Sequence, residues 1–413
     1  MSRDKPCHFR DQRDGRIIAA GCEGMATLPD CEVLVVGAGP AGASAALDLA
    51  RAGVDVLVVD RADFPRPKVC AGGLTQKTVA RLAIDVASVT ESREDRAVFG
   101  FGTGREVHTT APGPIVTMTV RERLDALLLD AARDAGARFL RIPTIDGLDA
   151  DNDAVSLSLA NGETLRARHL VGADGANSRI RALAGAHAGF RYAFALEGIV
   201  PLSAIAERPT LTLDLGRVAG GYGWLFPKAD HVNVGIGSFA LGAPLSKASL
   251  FDYARDRLGT DRVDGIRGFP LGMGGEHYRP SHPRVLLTGD AAGMAEALFG
   301  EGIHNAVASG RAAADAIIAT QQGTASDAAT AYAAALAPVQ RDLALCARAA
   351  QYFYPSLGVG WRLLQVPPLR SRLMAAFASG ATTEELVRQH LSGPQRALAR
   401  MGFRVGGSPA GLT

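Results

Sequence analysis

The chain has 413 residues, of which 47% are hydrophobic and 21% charged, and its formal net charge is +2. This length allows two or three domains, and the near-neutral charge gives no reason to expect nucleic acid. The five cysteines form no Cys-x-x-Cys pair, which argues against a disulfide framework, a structural zinc site and an iron–sulfur cluster. An odd number of cysteines suits a reducing cytoplasm, so we expect a cytoplasmic globular protein without a metal. No uninterrupted apolar run is long enough to span a bilayer.

The N-terminal segment, residues 1–28, is polar and shows no periodicity. It has no apolar core of the kind that a secretory signal carries. We predict that 1–28 is a disordered extension.

A strand–glycine–helix–strand pattern occupies residues 31–60. The β-forming run that ends at Val36 is followed by a Gly-x-Gly-x-x-Gly turn, an alanine-rich helix and a second strand that ends at Asp60. Such a turn lets a pyrophosphate approach the backbone at a helix N-terminus, and an acid about 20 residues further on binds a ribose. The predicted cofactor contacts here are Gly37, Gly39, Pro40, Ala41, Gly42, Asp60 and Arg61.

The loop that follows carries two prolines, a cysteine and a glycine pair. Prolines stiffen a loop, and glycines let its backbone approach a flat or anionic group. We predict that Cys70, Ala71, Gly72 and Gly73 contact the cofactor. The alternative is a stiff surface loop with an inert cysteine.

The middle of the chain predicts further strands over 97–120, a helix over 120–132 with leucines on one face, and a hairpin over 157–165. A strand then runs into Gly172-Ala-Asp174-Gly175. Residues 190–275 show several strand-like stretches and little helical period, which indicates an inserted antiparallel sheet.

The last third begins with a buried strand that ends in Gly289-Asp290 and a small-residue helix that starts near Gly302. The rest is predicted to be helical, with breaks at Pro338, Pro355 and Pro367-Pro368. We predict an α/β fold in two domains: a Rossmann-type cofactor domain, an inserted antiparallel-sheet substrate domain and a helical C-terminal region. The cofactor domain comprises 29–96, 120–188 and 276–325. The substrate domain comprises 97–119 and 189–275, and the helical region comprises 326–413.

These three nucleotide-type motifs together resemble the FAD-dependent family typified by p-hydroxybenzoate hydroxylase. The resemblance implies that Asp290 binds the flavin ribityl chain and that the helix after Gly302 presents its N-terminus to the flavin ring. A helix N-terminus suits the negative charge of a reduced flavin. The cofactor contacts so implied are Arg121, Asp174, Gly289, Asp290, Gly302 and Ile303, to which we add Ile145.

Two further motifs resemble the geranylgeranyl reductase family, whose members saturate double bonds of isoprenoid chains. One motif is Pro67-Lys-Val-Cys70-Ala-Gly-Gly-Leu74, and the other is Gly221-Tyr-Gly-Trp-Leu-Phe-Pro-Lys228. Trp224 and Phe226 alternate along a strand, so they face either a core or a pocket, and Lys228 is either functional or a solvated turn residue. The predicted substrate residues are Tyr222, Trp224, Phe226, Pro227, Lys228 and Phe299.

The resemblance implies that reduced FAD delivers hydride to one carbon of an alkene and that a proton donor serves the other. Cys70 is the predicted proton-delivering or gating residue. NAD(P)H or reduced ferredoxin is the expected electron donor. The alternative function is a flavin-dependent monooxygenase that acts on an aromatic or polyketide molecule.

The C-terminal region is basic: residues 341–413 hold nine arginines and three acids, and aromatic residues are interleaved with them. Such a region can lie on an anionic membrane, where isoprenoid lipids reside. The alternative is a helical cap that packs on the FAD domain with its arginines in water. We therefore expect an isoprenoid or other apolar substrate, and peripheral membrane contact as one possibility.

Overall fold

The computed structural model describes residues 8–10, 17–19, 31–185, 187–240 and 245–390. Its strands, in chain order, are β1 (His8–Arg10), β2 (Ile17–Ala19), β3 (Cys31–Val36), β4 (Val56–Asp60), β5 (Gly73–Thr75), β6 (Thr90–Glu94), β7 (Arg96–Phe101), β8 (Arg105–Thr110), β9 (Val116–Thr119), β10 (Arg138–Arg141), β11 (Ile145–Ala150), β12 (Val155–Leu159), β13 (Thr164–Gly172), β14 (Arg191–Pro201), β15 (Leu211–Leu215), β16 (Gly221–Pro227), β17 (His231–Ser238), β18 (Asp264–Met273) and β19 (Val285–Leu287). Its α-helices are α1 (Pro40–Arg51), α2 (Gln76–Arg81), α3 (Arg121–Asp134), α4 (Arg179–Leu183), α5 (Lys247–Leu258), α6 (Ile303–Gln321), α7 (Ala328–Phe353), α8 (Leu357–Leu364), α9 (Pro367–Ser379) and α10 (Thr383–His390).

The first large sheet has the strand order β10-β4-β3-β13-β12-β11, and β19 also pairs with β13. Strands β10, β4, β3 and β13 run parallel to one another, and β19 runs parallel to β13. Strands β3 and β4 are buried almost throughout, as expected for parallel strands covered on both faces. Helices α1 and α6 pack on each other. The predicted Rossmann-type α/β fold is confirmed.

The second large sheet has the order β18-β14-β17-β16-β15-β7-β8. Its neighbours are antiparallel except for β15 and β7, which are parallel. Strand β7 reaches this sheet from a distant part of the chain, and β8 follows it as a hairpin. We call this the substrate sheet.

The strand β9 departs from our predicted domain division. The predicted substrate domain includes all of 97–119, yet β9 pairs with β5 and β6 in a separate three-stranded sheet. Strand β5 begins at the end of the Cys70 loop. This small sheet therefore continues directly from the Cys70 loop.

The helical C-terminal region differs from expectation in two ways. Pro338 does not end a helix, because α7 continues through it. A proline removes one backbone hydrogen bond, and the packing of α7 on α6 maintains the helix. Helices α8 and α9 pack on the substrate sheet, where Trp361 stacks on Phe101 with 5.4 Å between ring centroids, and α9 also contacts α2 of the FAD domain.

The N-terminal extension contains β1 and β2, which pair antiparallel where we had expected disorder. The rest of 1–28 lies outside the described residues. Within the part of the chain that the structure describes, no helix combines the length and the apolar character needed to cross a membrane.

Candidate active site

The glycine turn between β3 and α1 forms one wall of a large cavity. Gly37 has φ +101°, and a Cβ there would lie 2.4 Å from the carbonyl oxygen of Ala173, so only glycine fits. Gly39 caps α1 without a side chain, and Ala41 lines the cavity. The N–H groups of the first helical turn are therefore open to a phosphate.

Asp60 supports this turn from the end of β4. Its carboxylate accepts hydrogen bonds from the backbone N–H of Ala38 at 2.9 Å and of Ala62 at 3.0 Å. Asp60 and Arg61 both line the cavity. The carboxylate is thus held at the place that the motif predicts for a ribose contact.

Asp174 organises the opposite side of the nucleotide region. Its carboxylate accepts hydrogen bonds from the Ser178 hydroxyl and from the backbone N–H groups of Arg179 and Ile180, at 2.6 and 3.1 Å. The Arg179 guanidinium donates to the carbonyl oxygen of Ile145 at 3.1 Å. Asp174 and Ile145 line the cavity, but much of their hydrogen-bonding capacity is already used internally.

Arg121 begins α3 and is buried beside the cavity. Its guanidinium donates two hydrogen bonds to Asp125, at 2.7 and 2.8 Å, in a bidentate pair. Asp125 also forms an ion pair with Arg66 at 3.5 Å. The geometry of Arg121 is therefore set before any ligand binds.

The turn before α6 is shaped by a buried carboxylate. Glu296 accepts hydrogen bonds from the backbone N–H groups of Leu298 and Phe299 at 2.6 Å and of Glu301 at 3.1 Å. The turn ends at Gly302, which caps α6 without a side chain. A second helix N-terminus is thus open to the same cavity, beside Ile303.

Gly289 and Asp290 lie across from this turn and also line the cavity. Burial raises the pKa of Asp290, while Lys68 and Arg121 act in the opposite direction. A polar ligand that donates hydrogen bonds to this carboxylate would keep it ionised. The hydroxyls of a ribityl chain are donors of that kind.

The Cys70 loop lies between the cofactor region and the substrate sheet. Gly72 has φ +68°, and a Cβ there would lie 2.1 Å from the carbonyl oxygen of Thr119. The backbone N–H of Gly72 points to the Cys70 sulfur at 3.4 Å. The thiol is half-buried, and Cys70, Ala71, Gly72 and Gly73 all line the cavity.

The aromatic residues of β16 differ in where they lie: one is mostly in the core, and the other two line the cavity. Trp224 is only 5% exposed, and its indole N–H donates to Asn233 Oδ1 at 2.7 Å, so it is mostly core with one edge at the cavity. Phe226 is half-buried, contacts the Gly73 region and lines the cavity. The Tyr222 hydroxyl donates to the carbonyl oxygen of Phe299, and both residues line the cavity.

The cavity joins these parts and has a volume of about 1520 Å³. That exceeds the roughly 300–1,000 Å³ of a site for one drug-sized molecule, so it has room for a cofactor and a substrate together. One end lies at the glycine turn and the other between the substrate sheet and α8–α9. The apolar end is lined by Phe99, Leu211, Leu213, Leu363, Leu373 and Phe377.

Three predicted site residues do not line this cavity. Gly42 lies behind the glycine turn, where its missing side chain lets α1 pack close to Gly37. Pro227 is buried at the end of β16. Lys228 is not a solvated turn residue: it is 2% exposed, and its ammonium donates to backbone carbonyl groups of the Cys70 loop.

Some residues of the cavity were not predicted. Glu197 lines it from β14, and the only signal in the sequence is a lone acid inside an apolar strand. Leu363 and Phe377 come from the C-terminal helices, where the periodicity predicts helices but not the surface they cover.

The residues that surround the polar end fit FAD. Two helix N-termini without a side-chain cap and an ordered aspartate face one cavity, and a sequence profile of the FAD binding domain matches residues 30–210. The protein is an FAD-dependent oxidoreductase.

The comparisons with whole proteins are more specific. Over 316 residues the chain is 35% identical to the menaquinone reductase of Mycobacterium tuberculosis, covering 70% of this chain and 77% of that protein. It is 33% identical to the geranylgeranyl diphosphate reductase of Rhodobacter capsulatus, covering 70% and 75%. The chain belongs to this family of geranylgeranyl and menaquinone reductases.

A solved structure supports the fold. The geranylgeranyl bacteriochlorophyll reductase-like protein of Thermoplasma acidophilum superposes with a TM-score of 0.65 at 22% identity, covering 86% of this chain and 93% of that one.

Proposed function

We propose that this enzyme reduces carbon–carbon double bonds of an isoprenoid chain of the geranylgeranyl type. The observation that carries the proposal is the continuity of the cavity, whose apolar end leads directly to the Cys70 loop and the FAD region. Such a channel can hold a long apolar chain with one segment beside the cofactor. The names of the relatives support it, because both named substrates carry isoprenoid units.

The protein's contribution to the reaction is to place the alkene, exclude water and supply a proton. FAD, when bound in its reduced form, supplies the hydride. Trp224 and Tyr222 present aromatic rings at the cavity, where they can stabilise positive charge that develops on the alkene. The aliphatic lining excludes water. The Cys70 thiol holds the proton at Sγ for the second carbon.

An anaerobic experiment tests this function. The purified holoenzyme is reduced with dithionite and given a geranylgeranyl lipid, and the product is analysed by mass spectrometry. We expect the gain of one or more pairs of hydrogen atoms. An unchanged lipid, together with oxygen incorporation into an aromatic panel under air and NAD(P)H, would support a monooxygenase instead. The donor itself, NAD(P)H or reduced ferredoxin, stays a prediction.

We also propose a site of peripheral membrane contact, the α8 surface, made of Tyr352, Val359, Leu363 and Val366. These residues are 62%, 58%, 51% and 46% exposed. Leu363 also lines the cavity, so the surface adjoins the apolar end of the channel. The chain between Asp342 and Glu384 holds four arginines and no acid, which complements anionic lipid.

Flotation with phosphatidylglycerol vesicles tests this contact. We expect the wild type to float and the Val359→Asp/Leu363→Asp variant to stay at the bottom. Ile199→Asp, which changes an exposed apolar residue of the substrate sheet, is the matched control and should float. Equal flotation of all three would contradict the proposal. A variant that changes only the oligomeric state would instead assign the α8 surface to a contact between copies.

A further inference from the structure

Two buried ionisable side chains hold the Cys70 loop, and both come from the substrate sheet. Glu197, on β14, accepts a hydrogen bond from the backbone N–H of Cys70 at 2.7 Å. Lys228, directly after β16, donates from Nζ to the carbonyl oxygen of Ala71 at 2.6 Å. Lys228 therefore donates to a carbonyl group of the loop, and Glu197 accepts from a backbone N–H of the loop.

The ammonium of Lys228 is fully used in this arrangement. Besides Ala71, it contacts the carbonyl oxygens of Thr119 at 2.9 Å and Gly72 at 3.3 Å. An ammonium has three N–H donors, and three carbonyl groups surround it. Because Thr119 belongs to β9, Lys228 also ties the loop to the three-stranded sheet.

Glu197 extends the arrangement towards the aromatic lining. The side chain of Asn233 favours the ionised form of Glu197 and opposes the rise in its pKa that burial causes. Asn233 Oδ1 in turn accepts a hydrogen bond from the indole of Trp224 at 2.7 Å. Glu197 itself is 8% exposed, so it lies buried between the Cys70 loop and the residues that support Trp224.

Burial of two charged groups opposes folding unless each is compensated. Here Glu197 accepts from the backbone N–H of Cys70, and Lys228 donates to carbonyl groups of the loop and of Thr119. The ordinary backbone hydrogen bonds of β5 with β9 already anchor the end of the loop at Gly73. Glu197 and Lys228 therefore add something that those bonds do not, namely the placement of the segment from Cys70 to Gly72.

We propose that Glu197 and Lys228 are positioning residues for Cys70: together they hold its loop against the cofactor region and link it to the substrate sheet. The loop has little freedom to compensate for their loss elsewhere, because Gly72 contacts Thr119 closely. A displacement of about 1 Å at a reacting group can lower a rate by about 100-fold. The turnover part of this inference rests on the proposed function, but the position of Cys70 does not.

The test compares Lys228→Met and Glu197→Ala holoenzymes with the wild type. Alkylation of Cys70 by iodoacetamide is followed by mass spectrometry of its peptide, and the visible flavin spectrum is recorded. We expect Cys70 to react several-fold faster and the flavin bands to shift in both variants. With a geranylgeranyl lipid, kcat should fall by about tenfold or more while KM stays within about twofold.

Conservative variants separate positioning from other roles. Glu197→Gln keeps an acceptor for the Cys70 N–H and should stay near the wild type, and Lys228→Gln, with two donors, should lie between wild type and Lys228→Met. These two also serve where the larger changes prevent folding. Exposed Lys247→Met and Glu207→Ala are the matched controls and should change nothing.

Several outcomes would overturn the inference. Unchanged Cys70 labelling and flavin spectrum in both Lys228→Met and Glu197→Ala would show that the loop does not depend on them. A loss of activity in Glu197→Gln equal to that in Glu197→Ala would assign Glu197 a role through its charge or its proton. If the wild type does not reduce the lipid at all, the proposed function fails, while labelling and spectra still decide the positioning role.

Discussion

The FAD end of the cavity and the Cys70 loop are built by different physical means. The FAD end relies mainly on backbone: a glycine turn and two helix N-termini, each formed by a short contiguous stretch. The Cys70 loop is held by side chains from distant parts of the chain, since Cys70 and Glu197 are 127 residues apart and Ala71 and Lys228 are 157 apart. The FAD end should thus fail through backbone strain, and the Cys70 loop through the loss of single buried polar groups.

The largest effect is expected at the FAD end. Gly37→Ala forces a side chain into a left-handed conformation and into contact with Ala173, so the FAD content of the purified protein should fall by more than about tenfold. Gly53→Ala has a similar positive φ but open space around it, and it should keep its FAD. Absorbance at the flavin band per protein measures both. Equal FAD in the two variants would refute the steric argument.

The next effect concerns turnover at unchanged FAD content. Cys70→Ala should retain FAD, because the thiol is not part of either helix N-terminus, and should lose about 100-fold in turnover if the thiol supplies the proton. Turnover is measured as hydrogen gain in the lipid. Cys31→Ala, in buried β3, serves as the control. Unchanged turnover in Cys70→Ala would remove the thiol from the mechanism.

Loss of the proton from Lys228 should change stability and activity in opposite directions. Burial lowers the pKa of Lys228 from its ordinary 10.5 to about 8. Between these values the unfolded chain keeps a proton that the folded protein releases, so the free energy of unfolding should rise with pH, on the order of 2 kcal/mol from about pH 7.5 to about pH 9.5. Over the same range kcat should fall, because a neutral amine has two N–H donors for three carbonyl groups.

Urea unfolding and kcat, each measured at both pH values, check this prediction. Lys68 also titrates near the same pH, since burial lowers its pKa to about 8. The comparison is therefore the difference between the wild type and Lys228→Met, in which this component of both slopes should vanish. Parallel slopes in the two proteins would contradict the assignment.

The smallest effect concerns the turn before α6. Tyr222→Phe removes the hydroxyl that donates to Phe299, and Tyr354→Phe removes a similar donor to Leu298 at 2.6 Å. Each loss should cost about 1 kcal/mol, or about fivefold in kcat/KM, because the turn shapes the end of the substrate site. A double variant shows whether the two act on one turn. Purely additive effects would show that they act separately.

The FAD domain could be predicted because its signals are local. Strand, glycine turn, helix and acid follow one another within 30 residues, and each has a conformational reason that does not depend on the rest of the fold. The motif Gly172-Ala-Asp174-Gly175 was equally visible. The prediction at Pro338 was wrong for the opposite reason, because contacts with α6 outweigh the missing hydrogen bond inside α7.

The sequence by itself determined the fold class, the cofactor and the family, because glycine conformations and helix N-termini are properties of short segments. Only the tertiary structure decided that Lys228 binds the Cys70 loop, that β9 joins a separate sheet and that α8 and α9 cover the substrate sheet. The burial and the hydrogen-bond partners of a polar side chain depend on segments that lie more than a hundred residues away. No local pattern carries that information.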